Sequence, residues 1–209
     1  MERFPRTATN IIAAVTAAAW VLTALAGYSD QAAYALGFIP LRMTAPTVSL
    51  NALPAVLTPL SATLVHSGLV HLGFNLLMLV WCGAAVERTI GAFGLIMLYV
   101  VGAFAAAAAQ WAVDPAGAVP MIGASGAISA VMGAFALSFG RAKAFTSNLR
   151  VNRWINVAWL LVAWVVLQLM MGWLAGGQGY LLATPAHVGG FAAGLLLQRP
   201  LLLWRYRSA

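Results

Sequence analysis

Leu64-Val-His66-Ser-Gly-Leu-Val-His71-Leu-Gly-Phe-Asn75-Leu-Leu-Met-Leu-Val-Trp-Cys82-Gly-Ala-Ala85 is an apolar stretch long enough to cross a hydrocarbon core, yet it carries two histidines and an asparagine. Polar groups in hydrocarbon are costly unless they are paired or put to use. Two further stretches repeat the theme, Gly123-Ala-Ser125-Gly126 and Pro185-Ala-His187-Val-Gly-Gly190. The three histidines of the chain all lie in such surroundings. Together with a serine and an asparagine, they point to a chemical site built among membrane helices.

Composition agrees. Hydrophobic residues make up 63% of the chain and charged residues 7%, far from soluble usage. Mean hydropathy is +0.91. Apolar runs of about 20 residues recur at 9–28, 64–85, 91–112, 123–141, 154–175 and 185–204, which predicts six transmembrane helices. The first follows Arg3 and Arg6 as a signal peptide would, but it is long and lacks a convincing cleavage site. We read it as a retained helix. Residues 1–209 then form a single all-α membrane domain, with 1–8 and 205–209 as cytoplasmic ends.

A net charge of +7 invites a nucleic-acid reading, and the placement of the charges argues against it. With a cytoplasmic N-terminus, Arg3, Arg6, Arg88, Arg141, Lys143, Arg150, Arg153, Arg199, Arg205 and Arg207 all fall inside. Arg42, Asp30 and Asp114 fall outside. This is the positive-inside pattern, so the basicity orients helices. The lone cysteine, Cys82, lies mid-span and reads as a small buried apolar residue.

The segment 29–63 is the longest connection, and Gly37, Pro40, Pro46, Pro54 and Pro59 rule out a continuous span there. Its apolar patches suggest a folded outer loop with short helices at the headgroup level. Trp111, Trp154, Trp173 and Trp204 sit near span ends as interfacial anchors. No pair of interrupted helices suggests a transporter built from inverted halves.

Ser125 follows the irregular Pro120-Met-Ile-Gly123 and so falls in the first turn of the fourth span. Unpaired N–H groups and a positive dipole end there can stabilise negative charge on oxygen. Gly123 and Gly126 permit tight backbone geometry and close approach of a peptide. Taken alone, Gly-Ala-Ser-Gly is also what helix packing uses. His187 adds the chemistry, because the fourth and sixth spans run in the same direction and both residues lie at the outer ends. His187, Gly190 and Gly194 share one face of the sixth helix, and Ser125, Ser129 and Gly133 share one face of the fourth. Two such faces approach closely, within reach of base activation of a serine hydroxyl.

His71 and Asn75 share a face of the second span. Both can donate to a carbonyl oxygen gaining charge, and both also serve elsewhere as interhelical hydrogen-bonding groups. His66 falls on another face or in the loop, where a structural hydrogen bond is the expected role. No acidic residue lies in the outer half of any span, which favours a Ser-His dyad over a triad. No His-Glu-x-x-His helix and no pair of mid-span aspartates offers a metallo- or aspartyl-protease alternative.

The order His66-x4-His71-x3-Asn75, Gly123-Ala-Ser125-Gly126 and Ala186-His187-x-Gly-Gly190 resembles the rhomboid intramembrane serine proteases. The family's Gly-x-x-x-Glu-Arg is echoed by Gly83-Ala-Ala-Val-Glu87-Arg88, and the likeness covers about residues 35–200. The resemblance implies Ser125 as nucleophile, His187 as general base, and an oxyanion hole from the Ser125 N–H with His71 and Asn75. His66, Gly123, Gly126, Gly190 and Gly194 would be structural supports. It further implies a simple six-helix bacterial form in the inner membrane, transmembrane protein substrates cleaved near the outer face, and no metal or cofactor. The serine, histidine and asparagine argue against a non-cleaving relative that merely binds helices.

Two positions depart from the family pattern. Many members place a tyrosine four residues after the serine, against the catalytic histidine, where this chain has Ser129. Phe74, Phe135 or Phe191 are the candidates for that support. The Trp-Arg pair often seen in the first outer loop is also missing, with Leu41-Arg42 nearest to it. Gly176-Gly-Gln-Gly-Tyr-Leu-Leu-Ala-Thr184, directly before His187, reads either as a plain connector or as a mobile lid.

Overall fold

The computed structural model describes residues 7–45, 52–139, 145–174 and 183–207. Among them the regular structure is helical, and the extended backbone pairs only in an isolated bridge between Phe38 and Met121. The first helix, α1 (Ala8–Leu25), is alanine-rich and starts at Thr7, whose side chain accepts from the Asn10 N–H at 3.2 Å. A second cap comes from far along the chain. The Glu87 carboxylate accepts from the N–H groups of Ala8 at 2.8 Å and Thr9 at 2.9 Å, and from the Thr9 hydroxyl at 2.6 Å. A carboxylate at a helix N-terminus satisfies orphan donors and complements the dipole. Glu87 therefore spends its charge on α1.

The described residues of the segment 29–63 are folded, as its apolar patches suggest. They form α2 (Ser29–Leu36), a 3-10 turn Pro40–Met43, and α3 (Thr58–Ser61) between 3-10 turns. Arg42 donates to the carbonyls of Tyr34 and Leu53, and the Ser61 hydroxyl donates to that of Leu36. Phe38 exchanges two backbone hydrogen bonds with Met121, at 3.0 and 2.8 Å, so this segment holds the approach to α6.

The second and third apolar runs are helical and follow directly on one another, with a kink at Gly91 between them. α4 (Leu69–Met78) passes through a π-helical turn, Leu79–Gly83, into α5 (Ala84–Val113). Residues 86–90, expected to connect two spans, are helical. The helix breaks only at Gly91, where φ 80 and ψ 167 lie outside the range of residues with a side chain. Arg205 donates to the carbonyls of Glu87 and Arg88 in the turn before that break. The helical start at Leu69, later than expected, leaves His66 in extended chain beside the next helix but one.

The remaining helices are α6 (Ser125–Phe139), α7 (Leu149–Leu174) and α8 (Thr184–Arg205). By length and hydropathy, α1, the 45-residue stretch Leu69–Val113 and Leu149–Met170 are each sufficient to cross a membrane. Their exteriors are apolar, with Leu25, Leu69, Leu77, Trp81, Trp159, Trp173 and Leu196 exposed. The interior also holds Thr9, Thr16, Asn75, Gln110, Ser129, Gln168 and Gln198. An apolar exterior around an apolar core that also takes in these polar side chains suits lipid, which offers them no hydrogen bonds. Cys82 is buried against Met132, as a small apolar residue would be.

Close contact of α5, α6 and α8 organises this interior. A side chain at Gly190 would strike the carbonyl of Gly126, one at Gly194 that of Ala130, and one at Gly133 that of Phe191. On the third side, Gly102 faces Ala130, Gly126 faces Ala106, and Gly189 faces Ala105 and Ala109. Backbones this close gain van der Waals contact where no hydrophobic drive exists between helices. Gly194→Val should therefore lower stability by more than about 2 kcal/mol. Leu196→Val, at a position 76% exposed, should stay within about 0.5 kcal/mol. Thermal unfolding in detergent micelles compares the two, and an equally stable Gly194→Val would mean that these helices have room to spare.

Candidate active site

Four chain segments meet at the start of α6. Gly123 donates its N–H to the carbonyl of Ala62 at 2.9 Å and adopts φ +105. A Cβ there would lie 2.6 Å from His71 Nε2, so only glycine allows the imidazole to stand against this backbone. Ala124 donates its N–H toward His66 Nε2 at 3.4 Å. Ile128 then makes the first helical bond, to the Ala124 carbonyl. This leaves the first-turn N–H groups, that of Ser125 among them, without intrahelical acceptors.

Ser125 is 8% and His187 5% exposed, and Ser125 Oγ lies 2.9 Å from His187 Nε2. The approach of α6 and α8 at Gly126, next to Ser125, and Gly190, one turn on from His187, sets that distance. A neutral imidazole whose Nε2 accepts from the hydroxyl carries its proton on Nδ1. Ser129, one turn on, donates to the Ser125 carbonyl at 2.7 Å and accepts from Trp164 Nε1 at 2.8 Å. Gln168 Nε2 lies 3.3 Å from His187 Nε2.

His71 and Asn75 form the opposite wall. The Ser67 hydroxyl lies 3.2 Å from His71 Nδ1. When Ser67 donates, Nδ1 is the acceptor and Nε2 bears the proton, which then points at Gly123. Asn75 is fully buried and donates from Nδ2 to the His71 carbonyl at 2.8 Å, while its Oδ1 has no partner. One N–H of that amide group stays free. His66 packs its ring 4.9 Å from that of His71 and holds the α6 approach through Ala124.

Among the described residues His187 has no aromatic partner, so the ring support expected from Phe74, Phe135 or Phe191 is not what holds it. Phe74 instead stacks on Trp164 at 5.8 Å, and Phe135 contacts Trp81 and Phe139. Gln168 is the group that reaches the imidazole. Sequence pattern does not single out Ser67, Trp164 or Gln168, although a glutamine in an apolar span is itself a signal, since its amide must be paired. Residues 175–182, most of the glycine-rich segment considered as a lid, lie outside the described residues.

The Rhomboid domain family model matches residues 54–204. The chain is 30% identical over 141 residues to the Rhomboid-type serine protease 2 of Emericella nidulans, covering 64% of this chain and 24% of the relative. It is 30% identical over 146 residues to the RHOMBOID-like protein 4 of Arabidopsis thaliana, covering 69% and 34%. It is 27% identical over 140 residues to the Rhomboid protease GluP of Bacillus subtilis, covering 66% and 24%. The matches span about a quarter to a third of the length of these curated relatives. The family model covers well over half of the chain, and the chain belongs to the rhomboid family.

Proposed function

We propose that this chain is an intramembrane serine endopeptidase that cleaves transmembrane protein substrates near the outer membrane face. The observation that carries the reading is the buried 2.9 Å contact between Ser125 Oγ and His187 Nε2 at the first turn of α6. In the reaction His187 takes the Ser125 proton as Oγ adds to the scissile carbonyl carbon. The carbonyl π pair moves onto its oxygen, giving a tetrahedral oxyanion. Donors for that oxygen are the Ser125 N–H, His71 Nε2 and the free Nδ2 hydrogen of Asn75. Collapse breaks the C–N bond, and the imidazolium returns its proton to the leaving amine. A water, deprotonated by His187, then releases the acyl group and restores the serine.

No carboxylate is among the partners of His187 within the described residues, which fits a two-residue mechanism. The substrate must present extended backbone, because helical carbonyls are already hydrogen-bonded; small or helix-breaking residues at the cleaved bond are therefore favoured. We read six spans. The non-helical backbone at Gly91 divides the 45-residue stretch into segments 69–90 and 92–113, each about 33 Å long and enough for a hydrocarbon core of about 30 Å. α6 and α8 complete the set with α1 and α7. Both chain ends then face the cytoplasm of a bacterial inner membrane, with residues 1–209 as one domain.

Replacement of either partner tests the dyad. Ser125→Ala and His187→Ala should each abolish cleavage of a generic transmembrane substrate without loss of thermal stability. A fluorophosphonate probe should label the wild type and spare Ser125→Ala; labelling that survives in that variant would move the nucleophile elsewhere.

Losing one oxyanion donor typically costs about 10²–10³ in rate, roughly 3–4 kcal/mol. His71→Ala and Asn75→Ala should thus lower kcat by that order while KM changes little. Near-normal kcat in both would reduce these residues to packing.

A further inference from the structure

α7 touches the rest of the protein in a particular way. Its buried described residues are Asn152, Val157, Trp164 and Gln168. Asn152 is engaged in its own N-terminal turn with Thr146, and Arg153 ties that end to the Leu137 carbonyl. Among the described residues, the other hydrogen bonds from α7 to the bundle come from Trp164 and Gln168, four residues apart on one face. One ends on Ser129, which holds the Ser125 carbonyl; the other ends on His187 itself. At 5% exposure the Gln168 amide needs a partner inside the bundle, and His187 supplies one.

The chemistry of an amide suits the place. While His187 is neutral, its single Nε2 lone pair accepts chiefly from the Ser125 hydroxyl at 2.9 Å, and the Gln168 N–H at 3.3 Å shares it as the weaker donor of a bifurcated contact. After Nε2 takes the serine proton it becomes a donor, and half a turn about the last side-chain bond presents the Gln168 carbonyl oxygen instead. We propose that Gln168 is a positioning residue for His187, holding the imidazole edge toward Ser125 Oγ and following the proton as the ring changes charge. It does from α7 what an aromatic ring on α6 would do by stacking, while Ser129 at that place on α6 accepts from Trp164 Nε1. The aim of the base then depends on the seat of α7. This rests on the protease reading above and adds to it a residue from another helix.

The test uses the full chain in detergent micelles. Gln168→Met keeps length and volume without an N–H, and Gln168→Leu removes the amide with a different apolar shape. With one hydrogen bond lost, kcat should fall about 3- to 10-fold in each with KM unchanged. Trp164→Phe, which keeps the stack on Phe74, should cost less. In a Ser125→Ala background, where Gln168 is the remaining donor to Nε2, the 15N signal of that ring nitrogen should move on adding Gln168→Met. Unchanged kcat in both Gln168 variants, with an unmoved nitrogen signal, would overturn the role. A wild type that neither cleaves nor labels at Ser125 would overturn the protease reading instead, and the nitrogen signal would still report whether Gln168 holds His187.

Discussion

Everything at the site depends on two helices touching backbone to backbone. Where Gly190 meets Gly126 and Gly194 meets Ala130, one methyl group would push α8 off α6. A hydrogen bond between side chains at the outer ends tolerates only a few tenths of an ångström of such movement before it weakens. The glycines therefore hold a serine and a histidine, 62 residues apart in sequence, at 2.9 Å. In lipid this contact has no hydrophobic force behind it, so packing and polar pairing must supply the stability.

The same economy governs the polar groups, which act on the backbone and on one another. Glu87 caps α1, and Arg205 covers carbonyls near the Gly91 break. Ser129 joins Trp164 to the Ser125 backbone, and Ser67 orients His71. At the site, Asn75 Oδ1 and His66 Nδ1 remain without partners. The unpartnered oxygen belongs to the amide proposed to face the substrate carbonyl.

Much of this is legible in the residues because membrane chains spend polarity sparingly. His66, His71, Asn75, Ser125 and His187 stand out against an apolar background, and helical period puts Gly190 and Gly194 on the face of His187. The boundary at 91 is legible as the start of an apolar run, but the helix that continues over 86–90 up to it is hidden, because hydropathy marks apolar length and is blind to dihedrals. The part played by α5 is hidden too: Gly102, Ala105 and Ala106 look like ordinary small residues until α6 and α8 are seen against them. Sequence pattern also suggests an aromatic support for His187, whereas the fold brings an amide from α7. Distance across a bundle is set by how far each helix is rotated, and no local pattern encodes that.

The central claim is that one carbonyl oxygen can be attacked by Ser125 while donors from α4 and α6 surround it. A crystal structure of the fluorophosphonate adduct reads this directly. The account predicts phosphorus bonded to Ser125 Oγ, with the phosphoryl oxygen about 3 Å from His71 Nε2, the Asn75 amide and the Ser125 N–H. A phosphoryl oxygen turned away from these donors, or phosphorus on another residue, would contradict it.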